Sequence, residues 1–471
     1  KSPVDEKNIH TFPIQELGPD FFDPVEAASF PAGILRFRNQ EAAQFIGLHP
    51  LSEAQWKEHF WSFKPLPGNL PQPLALRYHG HQFTHYNPEI GDGRGFLFAQ
   101  FPKNKTWYDL GTKGSGRTPY SRDGDGRLTL KGAFREALAT ELLQSLGVNT
   151  SKTFSIFETG ESLVRYDEPS PTRAAVLVRL SHGHIRIGSF QRLAYFKDTT
   201  NLQKLTDFCL KYYYPGISSD SNTADERAFL FFQTVANKCA LLSAQWMLAG
   251  FVHGVLNTDN INITGESFDY GPYRFLPRYD LRFTAAYFDQ QGLYAYGRQP
   301  VMMLWNLQRL GESLKLRYHA LPVDEILEEF SDEFNVHVKR LFLMRLNLKS
   351  NGTEKDAHLL AAFFNFLETS PALFEQCFFD FFGGAASSRI QNSPQKEHYS
   401  GNDFDNFITE LKSFETAEPS KSLHSYFKNE KPCTLLIEEI EEIWKNISEN
   451  DNWTAFEQKI ETIRNFRGIY S

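Results

Sequence analysis

The sequence predicts an α+β fold in which a mixed, strand-bearing first half gives way to a helical second half. Three observations predict it. Before about residue 200, runs rich in aromatic and β-branched residues are bounded by turn residues, as in "GFLFAQFPKNKTWYDLGTK" (95–113), "TFSIFETGESLVRY" and "AAVLVRLS". After about residue 200, apolar residues recur at helical spacing, most clearly in "ERAFLFFQTVANKCALLSAQWMLAG". Polar, glycine-rich loops gather near the junction, which suggests a cleft between two lobes, a common place for a ligand.

Taken in order, residues 1–70 are proline-rich and mixed, with a helix near "EAAQFIGL". They read as an N-terminal extension packed on the core. Residues 71–200 form the strand-bearing lobe. Within it, 95–113 read as two strands joined by a turn, and "GAFREALATELLQSLG" as a helix with glycine at each end. Residues 201–383 form the helical lobe, continuing through "VMMLWNLQRLGESL", "VDEILEEFSDEFNVHVKRLFLMRL" and "DAHLLAAFFNFLETS". In 384–471, a loop region over 384–422 precedes a return to helix. The one repeat is the tetrapeptide Gly-Asp-Gly-Arg, at 91–94 and 124–127.

Composition narrows the function. The 471 residues carry 49 Lys and Arg against 57 Asp and Glu, a formal net charge of -8, which argues against a general nucleic-acid binder. Four cysteines with no close pair form neither a disulfide framework nor a zinc pattern, so a reducing compartment is expected. No apolar run reaches the roughly 18 residues of a membrane span, and no signal-peptide pattern opens the chain. The expectation is a cytoplasmic monomer (mitochondrial in a eukaryote) without membrane or nucleic-acid partners. With 43 phenylalanines, aromatic packing should dominate the cores.

Five constellations carry chemistry. In "EIGDGRGFLFAQ" a glycine-rich turn enters a strand and Arg94 adds a positive fork; alone it also fits a plain hairpin. "DLGTKGSGRTPYSRDGDGR" combines open backbone with Lys113, Arg117, Arg122 and Arg127, which suits a polyphosphate, although it is neither a Walker A loop nor a Rossmann fingerprint. Glu136 follows on a helix; a strand lysine held by a helix glutamate is a kinase device for nucleotide phosphates, with Glu141 the rival partner for Lys113. In "FVHGVLNTDNINITGESFDYG", a histidine-bearing loop after a long buried helix ends in Asn260 and is followed by Asp269, two hard oxygen ligands suited to magnesium. Kinase-type loops of the form H-G-D-L-x-x-x-N carry their base where this chain has Val255; a carboxylate reappears at Asp259. In "RLSHGHIRIGSF", Arg179 and Arg186 could both reach a phosphate. His79, His81, His85, His182 and His184 sit mostly in Gly-His turns and read as locally hydrogen-bonded rather than as a metal cluster.

At these stretches, together with "YHGHQF", "FREALATELLQSLGV" and "YGRQPVMMLWNLQRL", the chain resembles selenoprotein O, the family of kinase-like protein adenylyltransferases. The matching stretches fall in the family's order over roughly residues 30–310. The resemblance implies a protein-kinase-like two-lobed fold, with a mixed β-rich N-lobe, a helical C-lobe and further C-terminal helices. It implies ATP bound in reversed orientation and AMP transferred to protein hydroxyls. By motif position Gly91, Gly93, Arg94, Lys113, Asp125, Gly126, Arg179 and Arg186 would bind ATP, and Glu136 would hold the lysine. Asn260 and Asp269 would bind magnesium, with manganese an alternative, and Asp259 would be the base. The chain departs from the family at Thr84, where a glycine is usual, and in "AAYFDQQG", where a Cys-Asn-His-Ser-Asp run is usual. It lacks the C-terminal cysteine or selenocysteine, and residues beyond 320 match poorly.

The expected activity is therefore transfer of AMP from ATP to Ser, Thr or Tyr of protein substrates, with release of pyrophosphate. The alternatives are a kinase, protein or small-molecule, passing on the γ-phosphate, against which Val255 argues, and a non-catalytic nucleotide-binding pseudokinase regulator, against which the retained metal pair argues.

Overall fold

A computed structural model describes residues 12–471. Its centre is an antiparallel sheet built mostly from the first half of the chain. The strands are β1 (Phe22–Pro24), β2 (Ile34–Arg38), β3 (Leu74–Leu76), β4 (Gly80–Gln82), β5 (His85–Asn87), β6 (Leu97–Lys103), β7 (Thr106–Lys113), β8 (Leu128–Thr129), β9 (Lys152–Leu163) and β10 (Thr172–Ser181). The main sheet runs β1-β3-β6-β7-β10-β9-β2, with β8 pairing β10 beside β9. β4 and β5 form a separate hairpin. The strands over 97–113 join at a tight turn as expected, and β9 and β10 are buried along most of their length because both faces are covered.

Residues before 70 are part of this sheet. β1 pairs β3 and β2 pairs β9, so the segment supplies both edge strands. A helix over Glu53–Phe60, which hydrophobic patterning overlooked, begins with a capping box in which Ser52 and Gln55 bond reciprocally. Its Trp56 and Phe60 pack on Phe154, with ring centroids 5.0 Å apart in each pair. The opposite face of β9 and β10 receives the helix Leu130–Ser145, whose Phe134, Leu138 and Leu142 are buried.

After residue 186 helices dominate. The longest, Ala224–Ala249, ends at Gly250, whose φ of 63° closes it in the left-handed conformation. Two short strands, β11 (Phe251–Val252) and β12 (Arg274–Phe275), then pair and enclose the polar loop between them. The helix Gln299–Lys315 follows as expected. Two readings change. The stretch 323–346 is two helices, Val323–Glu328 and Phe330–Arg345, not one. The supposed loop 384–422 contains the helix Asn402–Leu411, whose Phe404, Phe407 and Leu411 bury against a second, phenylalanine-rich core. Its polar composition masked three apolar residues at helical spacing.

Candidate active site

A cleft of about 670 Å³ opens between the sheet and the β11–β12 loop. Its lining brings together every motif read as nucleotide-binding from the sequence. The Gly91–Gly95 turn forms one wall and 120–127 the next. These turns touch directly: a Cβ on Gly91 would fall 2.6 Å from the Tyr120 ring, and one on Gly93 would fall 2.9 Å from the Tyr120 carbonyl oxygen. Gly126 has φ of 71° and lies so close to Gly116 that a Cβ would meet its carbonyl carbon at 2.3 Å. Glycine is required at these contacts.

Lys113 ends β7, and its Nζ lies 3.4 Å from Glu136 Oε1, 3.4 Å from Asp269 Oδ1 and 3.3 Å from the Tyr270 carbonyl. Glu136 Oε1 also accepts from Tyr270 N at 3.2 Å, so one carboxylate ties the strand lysine to the polar loop. Glu141 points elsewhere: Arg464 and Arg467 both donate to it. On the neighbouring strand, Arg179 Nη1 lies 3.5 Å from Asp269 Oδ1. Arg186 donates to the Asp259 carbonyl at 3.2 Å and to Asp92 at 3.3 Å, and its guanidinium stacks between the rings of Tyr78 and Phe268.

The polar loop is held from three sides. Ile187 N donates to Ile261 O, and Ile263 N to Ile185 O, which sets Arg186 beside residues 259–260. Ser151 N donates to Ser267 O at 2.9 Å. His253 Nε2 bonds Phe268 O at 2.9 Å, so this histidine orients the loop backbone and does not line the cleft. Val255 is likewise absent from the cleft wall, whereas Asp259 is part of it. "YHGHQF", to which no role had been given, packs over Asp259: His81 N donates to Thr258 Oγ1 at 2.7 Å, and a Cβ on Gly80 would stand 2.8 Å from Asp259 Oδ1.

Charge follows burial and neighbours. Burial pushes the Asp259 carboxyl up to about 7, with Asp269 adding to the rise and Arg186 opposing it. Burial would also raise Asp269, but Lys113, Arg179 and Arg186 hold it well below the usual carboxylate range. Asn260 Nδ2 donates to Asp269 Oδ2 at 2.8 Å, which leaves the buried Asn260 Oδ1 without a partner. An amide oxygen and an ionised carboxylate suit a hard divalent cation. Among the described residues no group of three or more His, Cys, Asp or Glu forms a protein-only cage, so phosphate oxygens and water would complete the shell. Asp269 adopts a φ of 64°, uncommon outside glycine and tolerated by aspartate.

The cleft is lined by seven basic and five acidic side chains in a chain whose net charge is -8. That local excess suits a polyanion. Of the residues expected to bind nucleotide, Gly91, Gly93, Arg94, Lys113, Asp125, Gly126, Arg179 and Arg186 all line it, and Glu136 stands directly behind Lys113. Asp125 does so with its carboxylate engaged, because Arg165 donates to both its oxygens at 2.8 and 3.0 Å. Sequence reasoning missed Arg165, which with Val164 and Tyr166 forms the outer rim; Tyr166 is fully exposed. A basic residue beyond a strand end gives no such signal by itself.

Comparison with known proteins extends the likeness beyond these motifs. The family model for protein adenylyltransferase SelO matches residues 6–464, past both ends of the stretch of roughly 30–310 over which the motifs were read. A protein nucleotidyltransferase YdiU of Synechocystis sp. is 43% identical over 467 residues, covering 96% of this chain and 97% of that protein. The protein of the same description from Gloeobacter violaceus is 42% identical over 461 residues, covering 95% and 93%. That of Vibrio cholerae is 39% identical over 350 residues, covering 74% and 69%. The chain is a nucleotidyltransferase and belongs to the SelO family.

Proposed function

We propose that this enzyme transfers AMP from ATP to Ser, Thr or Tyr hydroxyls of proteins and releases pyrophosphate. The observation that carries the reading is the placement of Asp259: it is the carboxylate from the 253–260 loop that lines the cleft, beside Asn260, Asp269 and Arg186. Two relatives described as protein nucleotidyltransferases support a protein acceptor. The fold we assign is protein-kinase-like and two-lobed, with an N-lobe near 71–200, a helical C-lobe near 201–383, an extension before 70 and C-terminal helices from 384. The Lys113–Glu136 pair and the loop between β11 and β12 support that assignment.

In this reading the triphosphate enters with its far phosphates toward Arg179 and Arg186, and its α-phosphorus facing Asp259. Lys113, held by Glu136, and Arg94 neutralise the phosphate oxygens. The acceptor hydroxyl oxygen attacks the α-phosphorus, the bond to the α–β bridging oxygen breaks, and pyrophosphate leaves. Asp259 takes the hydroxyl proton. Asn260 Oδ1 and Asp269 would hold magnesium, or manganese in its place. That ion would supply charge neutralisation at the phosphate oxygens.

ATP labelled at the α- or at the γ-phosphorus tests the reading. Only the α-label should become covalently attached to protein. Attachment of the γ-label alone would make the enzyme a kinase.

A further inference from the structure

One cluster of charged groups, with Glu266 buried and Lys152 half-buried, has no part in the nucleotide cleft. Toward the start of β7 and β9, beyond the end of β10, lies a second cavity of about 290 Å³. Lys152 and Glu266 both line it, yet among the described residues neither has an ion-pair partner within 4.0 Å. Lys152 Nζ donates to the Thr150 carbonyl at 3.3 Å. Glu266, 3% exposed, accepts from His182 N at 3.2 and 3.4 Å. The wall beside them is aromatic. The rings of Tyr108 and His182 lie 4.3 Å apart, and Phe45 meets Tyr108 edge-on at 5.1 Å. Among the described residues neither the Tyr108 hydroxyl nor the His182 ring makes a hydrogen bond.

Such an arrangement is costly unless something pairs with both charges. Burial holds the Lys152 ammonium down and pushes the Glu266 carboxyl up to about 7, each opposed only in part by the other's charge, and it pushes the His182 ring down to about 4. A group that accepts from Lys152 and donates to Glu266 would offset the penalty for both. The aromatic wall favours a flat ring. A nonaromatic zwitterion would answer the charges and leave that wall against nothing planar.

We propose that this cavity binds a planar nitrogen heterocycle, a nucleobase or its nucleoside, with its ring against Tyr108 and His182, an acceptor on the Lys152 ammonium and an N–H on the Glu266 carboxylate. Its occupancy is coupled to the nucleotide cleft. Lys152 follows Ser151 and Glu266 precedes Ser267, and these two neighbours share the 2.9 Å backbone bond that anchors the loop bearing Phe268 and Asp269. Coupling of this kind is reciprocal.

The test is calorimetric titration of the full chain with guanosine, uridine or adenosine, with a non-hydrolysable ATP analogue saturating the first cleft. At least one nucleoside should bind with a Kd of about 1 mM or tighter. Lys152→Met should weaken that binding about tenfold, and Gln144→Trp, which plugs the partly exposed mouth, should do the same. The nucleoside should shift the Kd of the analogue by about twofold or more, and the shift should vanish in Lys152→Met. Absence of binding, binding of phenylalanine in place of every nucleoside, or binding untouched by both variants would overturn the site. An unchanged analogue Kd would overturn the coupling. The blocking and coupling arms rest on ATP occupying the first cleft. The binding arm needs no turnover, so its failure is distinct from failure of the proposed transfer reaction.

Discussion

Asp259 and Asp269 stand on one loop, and the fold drives their carboxyls in opposite directions: burial raises the first to about 7, while four cations outweigh burial at the second. The base form of Asp259 is the deprotonated one. The logarithm of kcat/KM should therefore climb with slope of about one as pH rises toward about 7, then flatten. Asp259→Asn should cut the rate by roughly 10²–10⁴-fold, flatten that profile and leave affinity for an ATP analogue nearly unchanged. A variant that lost nucleotide affinity and kept its rate at saturation would make Asp259 structural. The same substitution has a sign in stability. A carboxyl whose folded pKa exceeds its unfolded value loses stability as pH rises between the two, so Asp259→Asn should raise Tm relative to the parent near pH 8 and not near pH 3. At Lys113, both Ala and Arg should remove most activity, since a planar fork cannot replace a compact ammonium packed against Glu136, Asp269 and Tyr270 O. Glu136→Ala should be milder, because the lysine would keep its charge and lose only its orientation.

At the scale of elements, the legible part of the chain was the part with regular periodicity or concentrated chemistry. The strands at 97–113, the helix after them and the loop from Phe251 to Gly271 were readable because alternation, helical spacing and polar residues each left a local mark. Contacts between distant segments left none. Nothing near Asp125 announces that Arg165 will clamp it, and nothing near Glu141 announces Arg464. The helix Asn402–Leu411 was lost for a different reason: tertiary burial of three apolar residues overrode a polar composition. The glycine-rich loop stood out by its composition, but its need for glycine at 126 became evident only in the packing on Gly116. Gly126→Ala combines a φ of 71° with a backbone clash, so it should raise KM for ATP about tenfold or more and lower Tm. Steady-state kinetics with a melting curve checks both; an unchanged KM would contradict the packing argument.

At the scale of the whole molecule, both ends of the described chain bear on the cleft. Residues before 70 close both edges of the sheet that presents Lys113 and Arg179. The C-terminal helix Thr454–Asn465 lies on the helix that carries Glu136, where Arg464 and Arg467 grip the buried Glu141. Among the described residues, removing that carboxylate leaves Arg464 without an ion-pair partner and Arg467 with Glu41 alone, so Glu141→Ala should destabilise the fold by about 3 kcal/mol, measurable by denaturant titration. A loss below about 0.5 kcal/mol would show that the clasp contributes nothing beyond a surface pair. The central claim concerns how the nucleotide lies across this assembly, and the orientation can be seen directly. A crystal structure with a non-hydrolysable ATP analogue and magnesium should place the α-phosphorus nearest Asp259, the metal on Asn260 and Asp269, and the far phosphates against Arg179 and Arg186. A γ-phosphorus facing Asp259, with the base buried toward those arginines, would contradict it.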